Sequence, residues 1–258
     1  MKEEILSQRM LLLCGCASLE AKGDLQRLDL AIREALDNDV SVNELKDAFA
    51  QLYAYTGFPR SLNALNTLER VLKEREAVGI IDNEGQPFQR PAIWDDAQQA
   101  LQFGTEMQTR DEGGTPWNYS FCPQADYYMK SHLFGDIFAC NQFTPAEREL
   151  ITVSALSAMD GVTPQFEGHK ECAVFMGNTK EQVDYLCHWL EEKYNRHQFP
   201  GYIDIGMTRF FGLSNDDGLD LCRYILLRNR ECRTRIVRDA LTAQVIRIRA
   251  SVRMQHFH

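Results

Sequence analysis

From Thr144 to Val183, apolar side chains recur at helical spacing between short polar punctuation marks. Thr144, Pro145 and Glu147 read as a capping box with proline at the first helical position. Leu150, Ile151, Val153, Leu156 and Met159 continue one helix as far as Asp160-Gly161, which stops it. Thr163-Pro164 restarts the chain, and His169, Cys172, Val174 and Phe175 fall on the next helix. Thr179 with Gln182 opens a third helix by the same capping logic.

The N-terminal half carries a related pattern. Residues 3–21 are apolar with helical periodicity, and Leu25, Leu28, Ile32 and Leu36 form one side of a second, amphipathic helix. Ser41 and Glu44 make another capping box, opening a long helical pattern that Gly57-Phe58-Pro59 interrupts. The break predicts two helices meeting at a corner that gathers Tyr53, Tyr55 and Phe58. Residues 76–120 lose periodicity among glycines and prolines and read as a linker, with one short helix around Trp94–Phe103. Residues 121–140 return to a helical, aromatic-rich segment. The expected fold is all-α.

A weak internal repeat joins the halves. ALDNDVSVNEL (35–45) and AVFMGNTKEQV (173–183) align at an offset of 138, each with a helix end, a turn and a capping box. At that offset His169 faces Ala31 and, allowing a one-residue shift upstream, Glu149 faces Met10, so one half lacks the polar pair of the other. The expected layout is a first repeat over 1–78, a linker over 79–120, a second repeat over 121–193 and an atypical tail over 194–258.

Charge sharpens that boundary. Residues 1–193 carry a net −14, whereas 194–258 carry +5 and hold 11 of the 20 arginines with no lysine. The tail reads either as added helices with solvated arginines or as sequence not selected for this fold. A body at −14 repels polyanions, so no nucleic acid is expected as partner. No apolar run approaches the roughly 20 residues that span a bilayer, so no membrane association is expected. The opening MKEEILSQRM is acidic where a signal peptide needs a basic start, so the expected location is cytoplasmic. Eight cysteines without a CxxC read as reduced thiols.

Four segments, AYTGFPRSLNAL (54–65), HLFGDIF (132–138), RELITVSALSAMDG (148–161) and GHKECAVFMGNTKEQ (168–182), resemble the carboxymuconolactone decarboxylase family, in its tandem-domain form. The resemblance covers roughly residues 5–190. It implies two helical repeats of the alkylhydroperoxidase D type and a homo-oligomer, trimeric or hexameric, with sites at helix interfaces. In the hydroperoxidase branch a Glu precedes a CxxC and a His. Glu149 and His169 match the ends of that pattern, but Val162 and Gln165 stand at the cysteine positions. An antioxidant peroxidase is therefore the disfavoured alternative, since thiolate attack needs both sulfurs. Gln165 and His169 satisfy the Gln-x-x-x-His pattern of the decarboxylase branch.

The expected chemistry follows from that match. Decarboxylation leaves an enolate that must be protonated, and His169 has the intrinsic pKa of a general acid near neutrality. Glu149 would hold its other ring nitrogen. Arg148 and Arg60 are candidates to hold the substrate's carboxylates bidentately, and Tyr53 and Tyr55 to line an apolar wall. Cys172, one turn beyond His169, is placed either to pair with it or to pack as a small hydrophobe. No metal site and no cofactor are expected. The expected partner is a small carboxylic acid. A degenerate, non-catalytic oligomeric scaffold is the remaining alternative, because one half has lost its His and Glu equivalents.

Overall fold

Two helices are buried nearly all round, one of them apolar along most of its length and the other carrying charged and hydroxyl side chains into the interior. The first, α1 (Gln8–Lys22), has every residue from Met10 to Ala21 buried. Ser7 caps its start by accepting from the Met10 amide, and Gly23, in the left-handed region at φ 72°, ends it. The other lies far along the chain. It is named α7 below (Pro145–Leu156) and is buried from Arg148 to Leu156. A computed structural model, describing residues 5–195, packs these two helices against each other at the centre.

The remaining helices lay their apolar sides on that pair. α2 (Leu25–Asp37) buries Leu28, Ala31, Ile32, Ala35 and Leu36. α3 (Val42–Thr56) and α4 (Phe58–Ala77) meet at Gly57, whose φ of 80° suits glycine, and Pro59 sits in the first turn of α4. α8 (Thr163–Phe175) and α9 (Lys180–Leu190) follow α7. One apolar core runs through both halves, from Leu13, Leu28 and Phe49 to Ile151, Leu186 and Leu190. The capping boxes at Ser41, Thr144 and Thr179 are all formed.

Between the halves, α5 (Ala97–Asp111) and α6 (Pro123–Tyr128) flank an extended loop, and α6 runs on into a wide π-helical segment over Met129–Ile137. α5 is longer than the short helix expected in a linker. Asp96 caps it by accepting from the Gln98 and Gln99 amides. Its buried positions are Ala100, Gly104, Gln108 and Asp111, a stripe of small and polar residues that hydropathy does not register. Close approach explains the small ones. A methyl group on Gly104 would lie 1.7 Å from the Lys130 carbonyl oxygen, and one on Gly135 would lie 2.5 Å from that of Ala100.

Among the described residues every regular element is helical. None of their helices is long and apolar enough to cross a membrane. The Arg-rich tail expected over 194–258 lies, beyond Asn195, outside the described residues.

Candidate active site

Helix α7 carries Glu149 into the interior, and the side chain is fully buried. An isolated carboxylate at that depth is costly unless it is paired. Its partner is His169 on α8: the ring Nδ1 lies 2.7 Å from Glu149 Oε2. This hydrogen bond fixes the Nδ1–H tautomer or the imidazolium, leaving Nε2 as the nitrogen free for chemistry. Tyr55, at the end of α3, presents its ring edge to the imidazole at 5.6 Å between centroids. Its hydroxyl is buried beside the Thr152 side chain, without a hydrogen bond of good geometry.

Two further groups close the cluster. Asp111 ends α5 and is buried, and Cys172 lies one turn beyond His169 on α8. One ligating atom from each of Asp111, His169 and Cys172 lies within 4.8 Å of the others. No metal site stood out in the sequence, yet the fold gathers three residues with metal-binding side chains. Glu149 Oε1 and Asp111 Oδ1 both lack a hydrogen-bond partner.

These neighbours set the electrostatics. Burial works to lower the pKa of His169, but the charge and hydrogen bond of Glu149, with Asp111 and Glu112 behind them, outweigh it and the net shift is upward. Asp111 is pushed up to about 8, first by burial and then by the Glu149 charge. Burial raises the Cys172 thiol, and the two acids raise it further. Tyr55 is raised by burial and by Glu149.

The other expected site residues lie elsewhere. Arg148 is buried within the scaffold, donating to Asp47 Oδ2 at 2.8 Å, Gln51 Oε1 at 2.8 Å and the Cys140 carbonyl at 3.0 Å. The Phe138 and Phe143 rings stand 5.9 and 5.6 Å from its guanidinium. Its donors are thus directed at the protein. Arg60 donates to the Ala21 carbonyl at the end of α1, at 2.5 Å, satisfying one of the carbonyls a helix end leaves open. Tyr53 stacks on Phe58 at 4.2 Å, and its hydroxyl meets His132 Nε2. Tyr53 and Tyr55, two residues apart on a helix, therefore leave it in different directions. Gln165 is exposed one turn before His169.

Asp111 is the member that sequence reasoning missed. Its signal was the small-residue spacing of α5, not hydropathy. A groove of about 480 Å³ between α8 and α9 is lined by Glu167, Lys170, Glu171 and Lys180 but includes neither Glu149 nor His169, so it is not this site. No protein-family model matches the chain, and no curated protein matches it.

Proposed function

We propose that the chain is a cofactor-free lyase of the carboxymuconolactone decarboxylase kind, built from two alkylhydroperoxidase D-type repeats, with His169 as general acid and Glu149 as the group that orients it. The observation that carries this reading is the 2.7 Å bond between His169 Nδ1 and a fully buried Glu149 carboxylate. A histidine held this way keeps one nitrogen fixed and presents the other as a proton carrier in a mostly dry setting.

The step balances simply. The bond between the ring carbon and the leaving carboxylate breaks, carbon dioxide departs, and the electron pair enters the conjugated enolate. The Nε2 proton of His169 then moves to carbon, and solvent reprotonates the imidazole. Tyr55 walls the site from the first half, and Glu149 and His169 come from the second, so the site is composite. Arg148 and Arg60 direct their guanidinium groups at protein partners, which leaves the His169 imidazolium as the cation facing an acid substrate.

Element spacing supports the tandem arrangement. α2 spans 25–37 and α8 spans 163–175, both thirteen residues long and 138 apart, as are the Ser41 and Thr179 caps. By the same resemblance the protein is a homo-oligomer acting on a small carboxylated lactone or related acid. Peroxidase chemistry gains nothing here. Its cysteine positions hold Val162 and Gln165, and Cys172 is held as a thiol, whereas thiolate is the nucleophile.

The test is carbon dioxide release from 4-carboxymuconolactone by wild type beside His169→Ala. The expected outcome is turnover that falls by roughly 10²–10⁴-fold in the variant. No release from folded wild type retires this substrate.

A further inference from the structure

The cluster around His169 contains more acid than its neighbours neutralise. Asp111 is 2% exposed and its Oδ1 has no partner; Glu149 is 0% exposed and its Oε1 has none. A buried polar atom left unpaired costs about 1–3 kcal/mol, and more when charged. Two such oxygens beside one imidazole mark a place shaped for a cation. The Arg148 cluster, one residue away on α7, meets its part-buried carboxylate, Asp47, with a guanidinium. Here, among the described residues, the cation that acts on the acids is the imidazole, which Glu149 already holds.

We propose that Asp111, His169 and Cys172 form a zinc-type divalent metal site, with Glu149 as the carboxylate that orients the histidine ligand. The donor set decides the metal class. Imidazole, thiolate and one carboxylate suit borderline-soft zinc or cobalt, whereas magnesium and calcium require oxygen ligands throughout. A carboxylate on the far ring nitrogen is the usual support of a metal-bound histidine, fixing its tautomer and orientation. With Nδ1 engaged by Glu149, Nε2 is the nitrogen left to ligate.

The geometry needs only modest closure. One candidate ligand atom from each of the three residues, a ring nitrogen in the case of His169, lies within 4.8 Å of the others. Tetrahedral zinc, with bonds of about 2.0–2.3 Å, holds its ligand atoms roughly 3.3–3.8 Å apart. Side-chain rotation of about an ångström closes that gap. Three protein ligands leave a fourth position for water or an anionic ligand. Binding releases the Cys172 thiol proton to solvent as the sulfur–metal bond forms, together with any proton on Asp111. The site joins α5 to α8, so metal binding clasps the segment between the halves onto the helix that bears His169.

This inference does not rest on the decarboxylase reading. The two compete for one atom: a metal on Nε2 excludes a transferable proton there, so the loaded form is expected to be silent in that reaction. The experiment is a titration of the full-length, chelator-stripped chain with Co²⁺ and then Zn²⁺ alone. The expected result is one equivalent of cobalt giving a thiolate-to-cobalt charge-transfer band, which zinc then bleaches. Cys172→Ser loses the band while Cys187→Ser keeps it. Asp111→Asn, which removes a ligand charge, weakens zinc, and Glu149→Gln weakens it roughly 10–100-fold. The double variant His256→Ala/His258→Ala leaves band and affinity unchanged, which separates this site from the C-terminal histidines.

A zinc-dependent rise in the thermal midpoint of wild type reads the same binding without any variant, which guards against a substitution that fails to fold. Absence of the charge-transfer band in wild type overturns the proposal. So does a band that survives Cys172→Ser. Carbon dioxide release is read separately on stripped protein, so failure of either reading leaves the other standing.

Discussion

Arg148 and Glu149 are consecutive on α7 and both are fully buried, yet their surroundings are opposite. Successive helical residues point about 100° apart, so one turns toward α3 and the other toward α8. Arg148 meets Asp47, Gln51 and a main-chain carbonyl between two phenylalanine rings, and only its Nε is left unpartnered. Gln51 in turn donates to the Arg148 carbonyl and to Thr152, tying α3 to α7. Glu149 meets a single histidine, keeps one oxygen bare and lies near a second acid with a bare oxygen. A buried charge closed by its counter-ion builds scaffold. One left partly open is available to a proton, a metal or a ligand.

The sharpest way to test that contrast is to remove each charge in turn. Arg148→Ala strands Asp47 and Gln51 in the interior and is expected to cost about 3–5 kcal/mol of stability, read by urea denaturation. Arg148→Met combined with Asp47→Asn should recover much of the loss, because removing a pair is cheaper than orphaning one member. Glu149→Gln keeps the shape while deleting an incompletely partnered anion, and its stability should stay within about 1 kcal/mol of wild type. Equal losses at the two positions would erase the distinction.

Glu20 offers an intermediate case. It is 1% exposed on α1; Oε1 accepts from Thr56 at 2.8 Å while Oε2 is bare. Burial pushes its pKa up to about 7, against the opposing pull of Thr56 and Arg60. An unfolded glutamate titrates near 4.3, so the folded protein holds this proton longer. The resulting stability is present below about pH 4, falls as pH rises through the unfolded value and is lost above the folded one. Glu20→Gln should therefore gain on wild type by something on the order of 3 kcal/mol between pH 4 and pH 8. A pH-independent difference in urea midpoints would show that Glu20 titrates in the folded protein as it does in the unfolded chain.

The same contrast explains how much of the molecule was legible in sequence. Helix starts were, because Ser41, Thr144 and Thr179 each carry a capping partner three residues on and nothing distant is needed to form the box. The corner at Gly57-Phe58-Pro59 was as well, since proline and glycine act through local backbone geometry. The pairing of His169 with Glu149 was expected from the family resemblance alone, not from hydropathy or spacing. The fate of Arg148 was not: on a helix buried all round, hydropathy cannot say which side a charge takes or what waits there. Tyr53 and Tyr55 were similarly indistinguishable in sequence. Asp111 was the hardest. The inner stripe of α5 is made of alanine, glycine and glutamine, chosen for close backbone approach, and a hydrophobic pattern passes over it.

The smallest expected effect bears on the open cluster most directly. Tyr55 sits against His169, and its hydroxyl is buried without a completed bond, so the folded state gains little from that oxygen. Tyr55→Phe keeps the ring edge against the imidazole and removes only the oxygen. Stability should stay within about 1 kcal/mol of wild type and can rise, since an unpaired buried hydroxyl is itself a cost. If the hydroxyl is idle packing, ligand affinity will not move either. If it completes its bonding only when the site is filled, affinity for an acid ligand or turnover will fall while the urea midpoint stays still. That separation of function from stability is what an open cluster predicts. A polar group belonging to a closed cluster, like Gln51 beside Arg148, would lose both together.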